Sequence, residues 1–124
     1  MTDTTRHELP IALKGCRFPI GTTIKQVRAN HLHIVLPNGV TISATWAPGT
    51  YSDNRDVMTG YRGSGMDVGD YWSQPRDATT VEIAMWDAAG EHLAQRFAGG
   101  DDQVIGYADP ETVQSVVDWA VAHD

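Results

Sequence analysis

Cysteine occurs once in this 124-residue chain, at Cys16, which excludes an internal disulfide and any zinc site built on several thiolates. No apolar run approaches the roughly 20 residues of a membrane-spanning helix, so no membrane partner is expected. The first ten residues, MTDTTRHELP, are polar and lack the apolar stretch of a secretory signal, which points to a reducing cytoplasm. Lysine is confined to Lys14 and Lys25, and no acid occurs between Glu8 and Asp53. Residues 1–47 hold five cations against two acids, a balance of +3, whereas 48–124 hold four arginines against fourteen acids, a balance of −10. The net charge of −7 disfavours general nucleic-acid binding, which needs a basic footprint against phosphate. The basic half leaves room for a local anion site. Equally, the two halves can face each other within one molecule or meet across a homodimer.

What is present is an ordinary globular composition, 41% hydrophobic and 20% charged, with length for one core. Residues 1–10 read as a flexible arm and 11–124 as one domain. Thr22 to Arg28 suits a strand. His31 to Leu36 and Val40 to Trp46 alternate apolar and polar residues around Pro37-Asn38-Gly39. A two-residue loop would set Leu36 against Thr41, apolar against polar. A three-residue loop pairs Leu36 with Val40, Ile34 with Ile42 and Leu32 with Ala44, and places Gly39 where a left-handed residue is needed. Thr79 to Trp86 is a further strand, Asp87 to Gly90 a turn, and His92 to Phe97 reads as the return strand. Gly99 to Asp102 is a second turn before a short apolar piece, Val104 to Tyr107. Asp109 as cap and Pro110 at the first position open a helix over 110–122, whose stripe is Val113, Val116, Val117, Ala120 and Val121. Trp119 falls off that stripe. The expected fold is α+β: an antiparallel sheet of four to six strands with a single C-terminal helix on one face and a long insert loop.

That insert, residues 48–78, holds five glycines, three arginines, five aspartates and four aromatics, with no sustained helical or strand period. Loops beyond roughly 12–15 residues are usually functional or disordered, and this aromatic and arginine content argues against disorder. Trp46, Tyr51, Asp53, Asn54, Arg55, Tyr61, Arg62, Tyr71 and Trp72 are the candidate binding residues. Tyrosine, tryptophan and arginine concentrate energy at interfaces through rigid area and planar hydrogen bonding. The competing reading is that the same aromatics pin the insert to the sheet.

Other constellations are weaker. His31 and His33 lie two apart on a strand and share a face, but no third zinc ligand follows from spacing. Asp67/Asp70 and Asp101/Asp102 lack the ligand order of a calcium loop and suit turns. Gly60 to Gly65 lacks the lysine and the following helix of a phosphate loop, leaving glycine amides and Arg62 as an anion holder at most. Ser64 is not in a nucleophile elbow, and Cys16 beside Arg17 is most simply a small apolar residue. No catalytic residue, metal or cofactor is therefore assigned.

Three segments, Trp46-Ala-Pro-Gly-Thr-Tyr-Ser-Asp-Asn54, Thr80-Val-Glu-Ile-Ala-Met-Trp-Asp87 and Asp101-Asp-Gln-Val-Ile-Gly-Tyr107, resemble a set of small proteins of unknown function encoded by phages of actinobacteria. The resemblance covers about residues 40–122 and supplies no activity. It implies an accessory phage protein in the bacterial cytoplasm, where binding or inhibiting a host protein is the expected role. The alternatives are a small-ligand or nucleotide-binding, sequestering protein using the glycine-rich run and Arg62, and a hydrolase using His31 and His33 with an aspartate of the insert.

Overall fold

The computed structural model describes residues 9–123. Five strands form one antiparallel meander in chain order: β1 (Thr23–Arg28), β2 (His31–Val35), β3 (Thr41–Thr45), β4 (Val81–Trp86) and β5 (Ile105–Ala108). The hairpin takes the three-residue loop: Ile34 pairs with Ile42, Leu32 with Ala44, and Leu36 N–H donates to Val40 O at 2.8 Å. Gly39 has φ +89°, so the loop depends on a residue that tolerates the left-handed region.

Alternation then sorts the side chains. Leu32, Ile34, Ile42, Ala44, Ile83 and Met85 point to one face and are fully buried. That face is covered by α1 (Ile11–Lys14) and by α4 (Pro110–Val121), whose Val113, Val116, Val117 and Ala120 complete the core. Asp109 caps α4 by accepting the Thr112 N–H at 2.8 Å. At its other end Asn38, in the hairpin loop, donates to the carbonyls of Ala120 and His123 at 2.8 and 3.0 Å. The hairpin thereby adds a side-chain donor at the end of the helix, where Ala120 O also accepts the His123 N–H at 3.2 Å. Val121, expected on the stripe, is 44% exposed. Trp119 is half-buried, edge-on to Phe97.

Three expectations are corrected. Residues 92–97 do not return as a strand: only His92 bridges Trp86, and α3 (Ala94–Ala98) follows. Leu93 and Phe97 are four apart and pack on the core together, and Gly99 at φ +75° stops the helix. The C-terminal helix is not the single one. The insert itself is ordered, with a 3-10 segment at Val57–Gly63 and α2 at Val68–Trp72. A helix does therefore follow the glycine-rich run, although Asp67 caps it through the Gly69 N–H at 3.0 Å. Of the expected N-terminal arm, residues 1–8 lie outside the described residues. Pro10 is buried, and Leu9 packs against the core.

Candidate functional site

The insert leaves β3 at Trp46 and is tied down at both ends by asparagines. Trp46 is buried, and its Nε1–H donates to Arg76 O at 2.8 Å. Asn54, also buried, donates through Nδ2 to Trp46 O at 2.8 Å and Asp77 O at 3.2 Å. Asn30 does the matching work from the β1–β2 turn: Nδ2 donates to Gln74 O at 2.8 Å, and Oδ1 accepts the Arg76 N–H at 2.8 Å. Asn30 holds φ +60°, a conformation asparagine tolerates better than most residues. Asp53 accepts from the Thr79 N–H and hydroxyl, both at 2.6 Å, and from the Thr80 hydroxyl at 2.7 Å. Those bonds, the two hydroxyls and then the amide, hold its carboxyl below the usual carboxylate range.

The middle of the insert packs on itself. Tyr71 donates its hydroxyl to Val57 O at 2.9 Å and meets Tyr61 edge-on with centroids 5.6 Å apart. Arg76 lies over the Tyr71 ring at 4.9 Å and donates to Tyr71 O at 2.9 Å. A Cβ at Gly60 would fall 2.8 Å from the Tyr71 hydroxyl, so this glycine makes room for the tyrosine. Ser64 donates back to Tyr61 O at 2.6 Å as a turn residue. The packing reading thus accounts for Trp46, Asp53, Asn54, Tyr61 and Tyr71. Arg62 is exposed on the 3-10 segment, and Trp72 is half-buried.

Tyr51 and Arg55 differ. Tyr51 is 45% exposed and approaches Tyr107, itself 50% exposed, with ring centroids 6.1 Å apart. The Arg55 guanidinium sits 5.2 Å over the Tyr51 ring. The Tyr107 hydroxyl beside it, followed by smaller effects of Asp56 and Tyr51, favours its charged form. The backbone holds the pair in place: Tyr107 N–H donates to Tyr51 O at 2.8 Å, and Tyr51 N–H to Glu82 Oε1 at 3.0 Å. Gly106 permits the approach, because a Cβ there would lie 3.0 Å from that of Tyr51. Tyr107 has φ +50°, uncommon for a bulky residue. Tyr107 was not among the candidates. Its signal was an aromatic after a glycine at the end of the last strand, and proximity to Tyr51 is a tertiary fact.

The uncovered sheet face carries His31 and His33. His31 Nε2 is 2.7 Å from Ser43 Oγ, and the two imidazoles meet edge-on at 5.2 Å. Among the described residues no group of three His, Cys, Asp or Glu converges as a metal site. No helix among them is long and apolar enough to cross a membrane. Comparison of the chain with protein-family models, curated proteins and solved structures finds no match.

Proposed function

We propose that this protein is a small non-enzymatic binding module that engages a protein of a bacterial host through Tyr51, Arg55 and Tyr107, with Arg62 and Trp72 toward the rim. The observation that carries the reading is the exposed tyrosine pair, clamped by Arg55 and by the Tyr107–Tyr51 backbone bond outside the core. Rigid aromatic area beside an arginine is the composition of interface anchors, and its ordering cost is already met before a partner arrives. The resemblance over residues 40–122 favours a phage-encoded accessory protein acting in the host cytoplasm. The glycine-rich run supports the nucleotide reading less well, since Asp67 already occupies the helix end where an anion would sit.

The test is a Tyr51→Ala, Tyr107→Ala double variant in affinity capture from bacterial lysate, with untagged wild-type protein as competitor. The expected result is loss of the competed species with the melting temperature held within a few degrees. Capture of the same competed species by the double variant would overturn the assignment.

A further inference from the structure

The sheet face away from the helices carries exposed cations, half-buried aromatic rings and a buried serine in register across four strands. Arg28 stands opposite His31, Lys25 opposite His33, and His33 opposite Ser43, which pairs in turn with Ala84. Thr41 pairs with Trp86 in the next row. His33 meets Trp86 edge-on at 5.2 Å, and Trp86 meets His92 at 6.3 Å, so an aromatic row runs from His31 to His92. Small residues, Ser43 and Ala84, floor the middle of the face.

The charge there is mixed, with two cations on β1 and Glu82 on β4 two residues from Ala84 and opposite Thr45. Lys25 and Arg28 face the two histidines from β1. The neighbouring acids are engaged locally: Glu82 accepts the Tyr51 N–H, Asp87 accepts the N–H groups of Ala89 and Glu91, and Glu91 pairs with Arg96 at 3.4 Å. Burial first, then His33 and Arg28 for His31 and Lys25 for His33, push both imidazoles down toward the neutral form. The clefts formed elsewhere are lined by α1 and the start of β1, by Arg17 to Pro19 against α4, and around Trp46 and Arg76. This face contributes to none of them. A face outside those clefts suits an extended ligand better than a small molecule, which needs enclosing walls.

We propose that this face binds single-stranded nucleic acid, with Trp86 and His33 as stacking platforms for bases and Lys25 and Arg28 as phosphate contacts. Base stacking on aromatic side chains tolerates any sequence, and two cations supply the backbone attraction. The −7 net charge disfavours nucleic acid in general and a duplex most, since its charge density is higher and its stacked bases offer no faces to the row; the aromatic row and the two local cations favour a single strand. The stacking and phosphate-contact residues differ from Tyr51, Arg55 and Tyr107, although Glu82 on this face accepts the Tyr51 N–H, so separate variants test the two assignments.

The probe is a fluorescein-labelled ten-nucleotide mixed-sequence DNA strand, titrated with the full chain and read by anisotropy at 50 mM salt. Binding is expected to weaken about tenfold in Trp86→Ala. It should fall with salt with a logarithmic slope of about −1.4 for two single-strand phosphates. Charge reversal in Lys25→Glu, Arg28→Glu should abolish it. Both cations are exposed, so that variant keeps the fold, and its circular dichroism melt checks this. No anisotropy change at low salt, equal binding of the duplex, or indifference to the charge reversal would each overturn the proposal.

Discussion

Replacing Asn54 by alanine should destabilise the fold through the insert's anchorage while leaving the binding surface chemically intact. The side chain is 7% exposed and bonds two carbonyls, Trp46 O at 2.8 Å and Asp77 O at 3.2 Å. Asp77 is exposed, so water can replace the lost donor there. Trp46 is 2% exposed, and its carbonyl would be left without a partner. One net hydrogen bond plus one unsatisfied buried acceptor gives a loss of about 2–4 kcal/mol. For a domain of this size that corresponds to a fall in Tm of about 8–16 °C. The assay is thermal unfolding followed by circular dichroism, with partner capture repeated well below the new Tm. Capture by the folded variant should equal wild type, because Asn54 positions the chain without presenting atoms to a partner. A Tm within about 2 °C of wild type would show that water or a neighbour replaces both bonds, and the two-ended tie would be wrong.

Stability should fall with acid in two windows. His31 and His33 are favoured neutral in the fold, so their contribution is present above about pH 6.5 and lost as pH falls through their lowered values. Asp53 is stabilised as the anion by Thr79 and Thr80, and Asp109 by the Thr112 N–H and then its hydroxyl. That contribution is present above about pH 4 and lost below it. Urea midpoints measured from pH 3 to 7.5 should show both steps, and His31→Gln with His33→Gln should flatten only the upper one. An unchanged upper step would refute the histidine assignment. Cys16 offers an independent check: burial, opposed by Arg17 and reinforced by Asp118, pushes its thiol pKa up, and Sγ leans on Ala12 O at 3.7 Å. Labelling by a disulfide reagent at pH 8 should be at least about tenfold slower than in urea; equal rates would place the thiol in solvent.

The hairpin shows how far local information reaches. Its register was legible because a one-residue slip would have turned Leu32, Ile34 and Ile42 to solvent, and side chains on strands have only two directions. The α4 start was legible because capping is chemistry between Asp109 and an amide three residues on. Residues 92–97 were not. A short apolar run carries both periods, and the choice was made by Leu93 and Phe97 finding the core on one helical face. The same limit divided the candidate site. Nothing local distinguishes Asn54, bonded to two carbonyls, from Arg55, laid over a ring in solvent, although they are adjacent in the chain.

The sequence by itself determined which faces of β2, β3, β4 and α4 are buried, where the long insert departs, and that no disulfide supports it. Those are consequences of periodicity and of residue types acting over a few positions. Tertiary structure alone decided that Asn30, 24 residues before Asn54 in the chain, shares the task of tying the insert down. It also decided that Tyr107 from the last strand completes the exposed cluster with Tyr51 and Arg55. Contacts of that separation depend on where the meander returns the chain. That return is fixed by the burial of the whole core, and no local pattern encodes it.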